Sequence, residues 1–181
     1  MRIIAGRWKG RRLVSFKADH IRPTTDRVKE SVFNKLQSEW DGARVLDLFA
    51  GTGNLGFEAL SRGASSVLAI ELSSKSIDII RRNVTELDAG SEHRIVKDDV
   101  LRWIEKYGGE PFDIIICDPP FTEKLAHDVL TRLATCPAVG ENTTVVIEAS
   151  SHERVDEAYA PLICFDRRDY GDKQVSFWRH S

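Results

Sequence analysis

An acidic side chain, two consecutive prolines and an aromatic ring follow one another at Asp118, Pro119, Pro120 and Phe121. Prolines have no N–H to donate and hold a rigid, extended path, so their carbonyls project away from the strand that leads into them. An acceptor before them and a ring after them make a site for an amine on a flat heterocycle. The exocyclic nitrogen of guanine or adenine is a poor nucleophile because its lone pair is delocalised into the ring. Hydrogen bonds from its two N–H groups to the Asp118 carboxylate and the Pro119 carbonyl would favour a pyramidal nitrogen, whose lone pair can attack an electrophilic carbon in line. Phe121 would stack on the extruded base, worth about 1–3 kcal/mol. The proton can leave after transfer, so Asp118 is needed as an ionised acceptor and not as a strong base. The plainer alternative is a strand-ending turn with a packed Phe121. Cys117 beside it reads as a core residue and not a nucleophile.

The second constellation is Asp47-Leu48-Phe49-Ala50-Gly51-Thr52-Gly53-Asn54-Leu55-Gly56. Glycines at these spacings let the chain turn tightly between a strand and a helix and let the backbone approach a ligand. Gly51, Gly53 and Gly56 satisfy G-x-G-x-x-G, which also serves nicotinamide and flavin sites. Asp47 discriminates, because a carboxylate there can pair with an ammonium group but would repel a pyrophosphate. That favours S-adenosylmethionine, held by Asp47, Phe49, Gly51, Gly53 and Asn54. Glu71, followed by Leu72, ends the next strand and can accept hydrogen bonds from both ribose hydroxyls, a feature shared with NAD sites. Farther on, Lys97-Asp98-Asp99-Val100 offers an acceptor for the adenine amino group. Asp99 with the Val100 N–H is preferred, Asp98 competes, and helix capping is the alternative for either. A tight turn without ligand is the bland reading of the whole loop.

Such residues need a scaffold that delivers them to one place. Apolar runs at Arg44–Leu48, Ser66–Glu71, His93–Lys97, Asp113–Cys117 and Thr144–Glu148 alternate with helical patterns at Leu55–Arg62, Ser74–Leu87, Val100–Tyr107 and Glu123–Thr135. That alternation predicts a parallel sheet covered on both faces. The rhythm breaks at Leu162–Arg168 and Gln174–Arg179, two strand-like runs joined by Tyr170-Gly171-Asp172-Lys173, which predict a hairpin. A parallel sheet closed by an antiparallel hairpin is the α/β, Rossmann-like class I SAM-dependent methyltransferase fold, with seven mostly parallel strands. Ahead of it, Arg2 to Phe16 predicts two short strands around Gly6–Gly10. After Arg22-Pro23, Thr24 or Thr25 can cap a helix with the apolar face Val28, Val32, Phe33, Leu36 and Trp40. The expected division is a basic hairpin extension over 1–21 and a catalytic domain over 22–181.

The 181 residues are enough for one sizeable core and too few for two full domains. There is no bilayer-length apolar run and no secretory pattern at the start. Three separated cysteines and scattered histidines predict neither disulfides nor a metal, so a metal-free cytoplasmic protein is expected. Net charge is -2, which by itself argues against nucleic acid. Its distribution argues otherwise. Residues 1–44 hold 11 basic against 5 acidic side chains, and six basic residues precede the first acidic one, Asp19. A basic arm on an acidic body fits contact with a phosphate backbone, and a solvated hairpin is the even alternative.

The sequence resembles the RsmD family, the bacterial 16S ribosomal RNA guanine-N2 methyltransferases. The resemblance covers nearly the whole chain: Arg2-Ile3-Ile4-Ala5-Gly6 with Gly10-Arg11-Arg12-Leu13, Arg22-Pro23-Thr24-Thr25-Asp26-Arg27-Val28 leading into Phe33-Asn34, the glycine loop, Glu58-Ala59-Leu60-Ser61-Arg62-Gly63-Ala64, and Asp118-Pro119-Pro120-Phe121. The glycine loop and Asp-Pro-Pro-Phe are common to many amino-methyltransferases, whereas the Arg-Pro-Thr-Thr-Asp-Arg segment is far more specific. The tract Tyr170-Gly171-Asp172-Lys173 departs from the family's Tyr-Gly-x-Thr pattern, so no substrate role is carried over to Asp172 or Lys173.

The resemblance implies S-adenosylmethionine as donor, S-adenosylhomocysteine as product, no metal, and a target guanine in 16S rRNA of an assembled or assembling 30S subunit. It also gives the basic arm a role, in which Arg7, Lys9, Arg11, Arg12, Arg22 and Arg27 would hold phosphates around the target loop. Trp8 could stack on a base or pack under the arm, and Tyr170 could touch RNA or pack on the core. A monomer is expected. The rivals are an adenine-N6 methyltransferase of DNA or RNA, which needs a sequence-reading domain for which little chain remains, and a non-catalytic RNA-binding assembly factor on the same fold.

Overall fold

The structure, a computed structural model, describes residues 1–16, 26–120 and 125–181. The expected positions Arg22 and Phe121, the side chain of Arg27 and the Thr24 or Thr25 cap lie outside the described residues. Helix α1 (Asp26–Lys35) precedes strand β1 (Arg44–Leu48), α2 (Asn54–Ser61), β2 (Ser66–Glu71), α3 (Ser74–Leu87), β3 (His93–Lys97), α4 (Val100–Lys106), β4 (Phe112–Cys117) and α5 (Ala126–Leu133). Then come β5 (Val139–Ser150), β6 (Ala158–Tyr159), β7 (Leu162–Tyr170) and β8 (Lys173–His180). One sheet runs β3-β2-β1-β4-β5-β8-β7-β6. Its first five strands are parallel, and β8, β7 and β6 continue it antiparallel. The seven expected strands are present, and the two-residue edge strand β6 makes an eighth.

The parallel strands are covered on both faces, which explains their unbroken apolar runs. Val45, Ile114, Ile116 and Val146 pack with Val28, Val32, Phe33, Phe57 and Ile80 from α1, α2 and α3. Leu46, Ile115, Val145 and Ile147 face Val100, Ile104, Val129 and Leu130 from α4 and α5. The whole apolar stripe expected for α1, Val28 through Trp40, is buried.

The N-terminal pairing is narrower than two strands. A single antiparallel bridge joins Arg2 to Arg12, with Ile3 N–H donating to the Arg11 carbonyl at 2.9 Å and Gly10 N–H to the Ile3 carbonyl at 2.9 Å. Ile3 and Leu13 are buried in the same core as α1 and α2. The reason lies in partners the arm finds on the helices. Glu58, fully buried in α2, accepts from the Ile4 N–H at 2.8 Å and the Ala5 N–H at 3.1 Å. Asn83 of α3 accepts from the Val14 N–H at 2.7 Å and donates back to its carbonyl at 3.0 Å. Gly6 sits so close to the end of α2 that a Cβ there would meet the Ser61 carbonyl oxygen at 1.7 Å, so only glycine fits.

Candidate active site

The order of the parallel strands reverses between β1 and β4, and the crevice outside their carboxyl ends is where an open α/β sheet receives ligands. The loop after β1 is the glycine loop. The loop after β4 is Asp118-Pro119-Pro120. Asp118 N–H reaches the Leu48 carbonyl at 3.5 Å, which ties the two loops together.

The glycine loop is shaped by backbone conformations that ordinary residues avoid. Gly51 and Gly53 have φ of 57° and 79°, and Phe49 between strand and loop also has a positive φ of 59°. Gly53 stands where a helix would carry its capping side chain, and α2 has no side-chain cap of its own. Asp47 supplies one from β1, its Oδ2 accepting from the Gly56 N–H at 3.0 Å. A carboxylate at a helix start is favoured by the helix dipole. The Glu71 carboxylate braces the other side: Oε2 accepts from Gly51 N–H and Oε1 from Ser73 N–H, each at 2.7 Å.

Three carboxylates therefore converge on this edge. Burial pushes the Asp47 carboxyl up to about 7; the Gly56 N–H opposes the shift, and the charges of Asp118 and Glu71 add to it. A site of this sign attracts a cation and repels a pyrophosphate, which fits a donor bearing a sulfonium and an ammonium. A Cβ on Gly51 would meet nothing nearer than the Phe49 carbonyl oxygen at 3.9 Å, so the loop backbone is open to close approach. Leu72, beside Glu71, is 59% exposed and offers an apolar surface. Val100, the first residue of α4, is buried.

Placement also limits individual side chains. Asp47 is 1% exposed, so it acts on the loop from beneath. Asn54 Oδ1 accepts from the Lys29 ammonium at 3.0 Å and is engaged inside the protein. Asp99 caps α4, its Oδ1 accepting from the Arg102 N–H at 3.0 Å. Asp98 is ion-paired with the Arg102 side chain, whose hydrogen bond holds its carboxyl below the usual range. Asp98 is thus the more heavily committed of the two.

Asp118 is half-buried, Pro119 buried and Pro120 exposed. Among the described residues, a narrow cleft with about 20 Å3 of free volume lies beside Asp118, bounded by Lys29, Val32 and Leu55 on one side and by Ile116, Val146, Glu148 and Val175 on the other. Cys117 is buried, and burial pushes its thiol well above its usual range, as suits a core residue. Sequence reasoning passed over Lys29, Glu58 and Glu148. A charge on an amphipathic helix carries no local signal that it is buried, and Lys29 and Glu58 both are. Glu148 carried a usable signal, since an acid closing an apolar strand is what marked Glu71.

The basic arm runs away from the amine site. Its open end lies at the glycine loop, with Met1 Sδ 3.8 Å from the Thr52 hydroxyl and Arg12 bridged to Arg2. Its tip runs down α2 to the opposite edge of the sheet. There the Arg7 N–H donates to the Ser61 carbonyl at 2.8 Å, the Arg7 guanidinium pairs with Glu92 just ahead of β3, and Arg11 donates to the Glu86 carbonyl at 2.7 Å. Eight helical residues span about 12 Å, so Arg7, Lys9 and Arg11 stand roughly that far below the amine site and do not surround it. Arg12, bridged to Arg2, lies at the arm's other end. Trp8 packs half-buried against the core, with the Arg7 guanidinium 4.0 Å above its ring. The Tyr170 hydroxyl donates to Ser31 at 2.5 Å and its ring also packs on the core.

Comparison with known proteins agrees with this architecture. The family model described as conserved hypothetical protein 95 matches residues 1–179. The "Ribosomal RNA small subunit methyltransferase D" of Haemophilus influenzae is 37% identical over 150 residues, covering 82% of this chain and 78% of that protein. YlbH of Bacillus subtilis is 33% identical over 181 residues, covering 99% and 98%. The solved structure of yhhF from Escherichia coli superposes with a TM-score of 0.89 at 30% identity, covering 100% of this chain and 98% of that one. This chain belongs to the family described as conserved hypothetical protein 95, the RsmD family that its sequence resembles.

Proposed function

We propose that this protein transfers a methyl group from S-adenosylmethionine to the exocyclic N2 of a specific guanine in 16S rRNA, acting as a monomer on an assembled or assembling 30S subunit in the cytoplasm. The observation that carries the reading is the meeting, at one switch point, of an anionic glycine loop with an Asp-Pro-Pro turn beside a cleft. The name of the Haemophilus influenzae relative supports the small-subunit RNA as substrate. When bound, the donor supplies an electrophilic methyl carbon. The chain's own residues do the rest. Glu71 and Leu72 hold the ribose and cover the adenine, Asp99 and Val100 receive its polar edge, and Asp47 draws the cationic end from below the loop. Asp118 and the Pro119 carbonyl accept the two N–H groups of the target amine and aim its lone pair. Phe121 stacks on the base. Arg7, Lys9, Arg11, Arg12, Arg22 and Arg27 hold phosphates around the target loop.

Tritiated donor incubated with 30S subunits from a strain lacking this enzyme, followed by nucleoside analysis, tests the reading. Label in N2-methylguanosine is expected. Label in N6-methyladenosine would transfer the assignment to the adenine enzymes, and no label with intact donor binding would leave an RNA-binding assembly factor.

A further inference from the structure

The cleft beside Asp118 holds a second acid. Cys117 of β4 pairs with Ile147 of β5 in parallel register, so Asp118 and Glu148, the next residue on each, are lateral neighbours on one face of the sheet. Glu148 lines the cleft and is buried. Its Oε1 is ion-paired with the ammonium of Lys173, itself buried on β8. Val32, Leu55 and Val175 supply its apolar walls. The cleft's other charged group is committed elsewhere: the Lys29 ammonium donates to the Arg2 carbonyl at 2.7 Å and to Asn54 at 3.0 Å, and lies 3.2 Å from Glu58. Those three acceptors account for its three protons.

We infer that Glu148 is the residue that selects guanine over adenine, by accepting a hydrogen bond from the ring N1–H while Asp118 accepts from the adjacent N2 amine. Guanine's edge presents these donors side by side. Adenine presents a bare N1 lone pair in place of N1–H, which would face a carboxylate held in place by Lys173 and leave a buried acceptor opposed to an acceptor. Glu148 acts on the choice of base, and Lys173 positions it. This inference rests on the proposed reaction and adds the group that reads the ring.

The test uses reconstituted 30S subunits carrying guanine or 2-aminopurine at the methylated position, since 2-aminopurine keeps the exocyclic amine but has no N1–H. Wild-type enzyme should prefer guanine by about 10- to 100-fold in kcat/KM, the range for one hydrogen bond to a charged group. Glu148→Gln should lose on the order of 10-fold or more on guanine. Its preference should shrink to within a few-fold, because its amide can donate to the bare N1, and S-adenosylhomocysteine affinity should be unchanged. A preference that survives intact in Glu148→Gln overturns the inference while leaving the reaction standing. Failure of the wild type to form N2-methylguanosine removes the reaction itself. The double variant Glu148→Gln with Lys173→Met, which leaves no unpaired buried ammonium, repeats the comparison if the single variant folds poorly; the same collapse of preference is expected, and an unchanged preference again overturns it.

Discussion

The two edges of the sheet handle charge in opposite ways. At the carboxyl edge, Asp47, Glu71 and Asp118 gather like charges around a loop, and the Asp47 carboxyl is raised by burial and by its two neighbours. At the amino edge, the tip of the arm brings cations that are already matched: Arg7 with Glu92 and Arg11 with the Glu86 carbonyl. Crowded charge of one sign marks where a ligand of opposite sign is wanted, and matched charge marks where the protein satisfies itself. The arm is therefore first a structural element, clamped by Glu58 and Asn83, with Arg7 and Arg11 already engaged inside the protein.

The largest way to break this contrast is to remove the clamp. Glu58 accepts from two arm N–H groups and pairs with buried Lys29 and Arg62. Glu58→Ala should cost about 3–5 kcal/mol in urea unfolding, as removal of one partner from a buried pair does; a loss below about 1 kcal/mol would mean the arm is held by other contacts. Next comes the amine site. Asp118→Ala should lower kcat by on the order of 100-fold or more with donor affinity nearly intact, and a rate within a few-fold of wild type would remove Asp118 from the chemistry.

Titration of Asp47 gives a smaller and more specific effect. Its carboxyl is raised in the folded protein, so its contribution to stability is full at pH below about 3.8 and is lost as pH climbs through about 7. A cationic ligand favours the ionised form, so S-adenosylmethionine affinity should rise with pH up to about 7 and level off above it. Calorimetry on Asp47→Asn should show weaker binding without that rise; a wild-type affinity flat across the interval would detach Asp47 from the ligand. The smallest expected effect sharpens the map of the arm. Removing one cation that meets a phosphate should flatten the salt dependence of RNA binding by about 0.7 in log–log slope. Arg12→Gln, beside the glycine loop, should do so, whereas Arg7→Gln should move the slope less, because Arg7 begins paired to Glu92.

What the sequence made legible follows the same division. The positions of Asp118-Pro119-Pro120, the glycine loop and the acids closing strands could be read because each lies on a contiguous run whose conformation is locally determined, and the β1, β2 and β3 boundaries follow from their apolar runs. The arm could not be placed this way. Arg7 and Arg12 are close neighbours in sequence, yet they end at opposite edges of the sheet because Glu58, Ser61 and Asn83, far along the chain, fix the path between them. Glu148 was visible as a strand-closing acid, but its surroundings were not. Its partnership with Asp118 is a matter of strand register and its ion pair comes from β8, and neither is written in local spacing.

The meeting of donor and base over Asp118 is tested most directly by a crystal structure with bound S-adenosylhomocysteine. The ligand's sulfur should face the cleft between Asp118 and Val32, with the ribose on Glu71 and the adenine near Asp99. A ligand seated away from the glycine loop, or a sulfur pointing away from an Asp118 turned into the core, would contradict it.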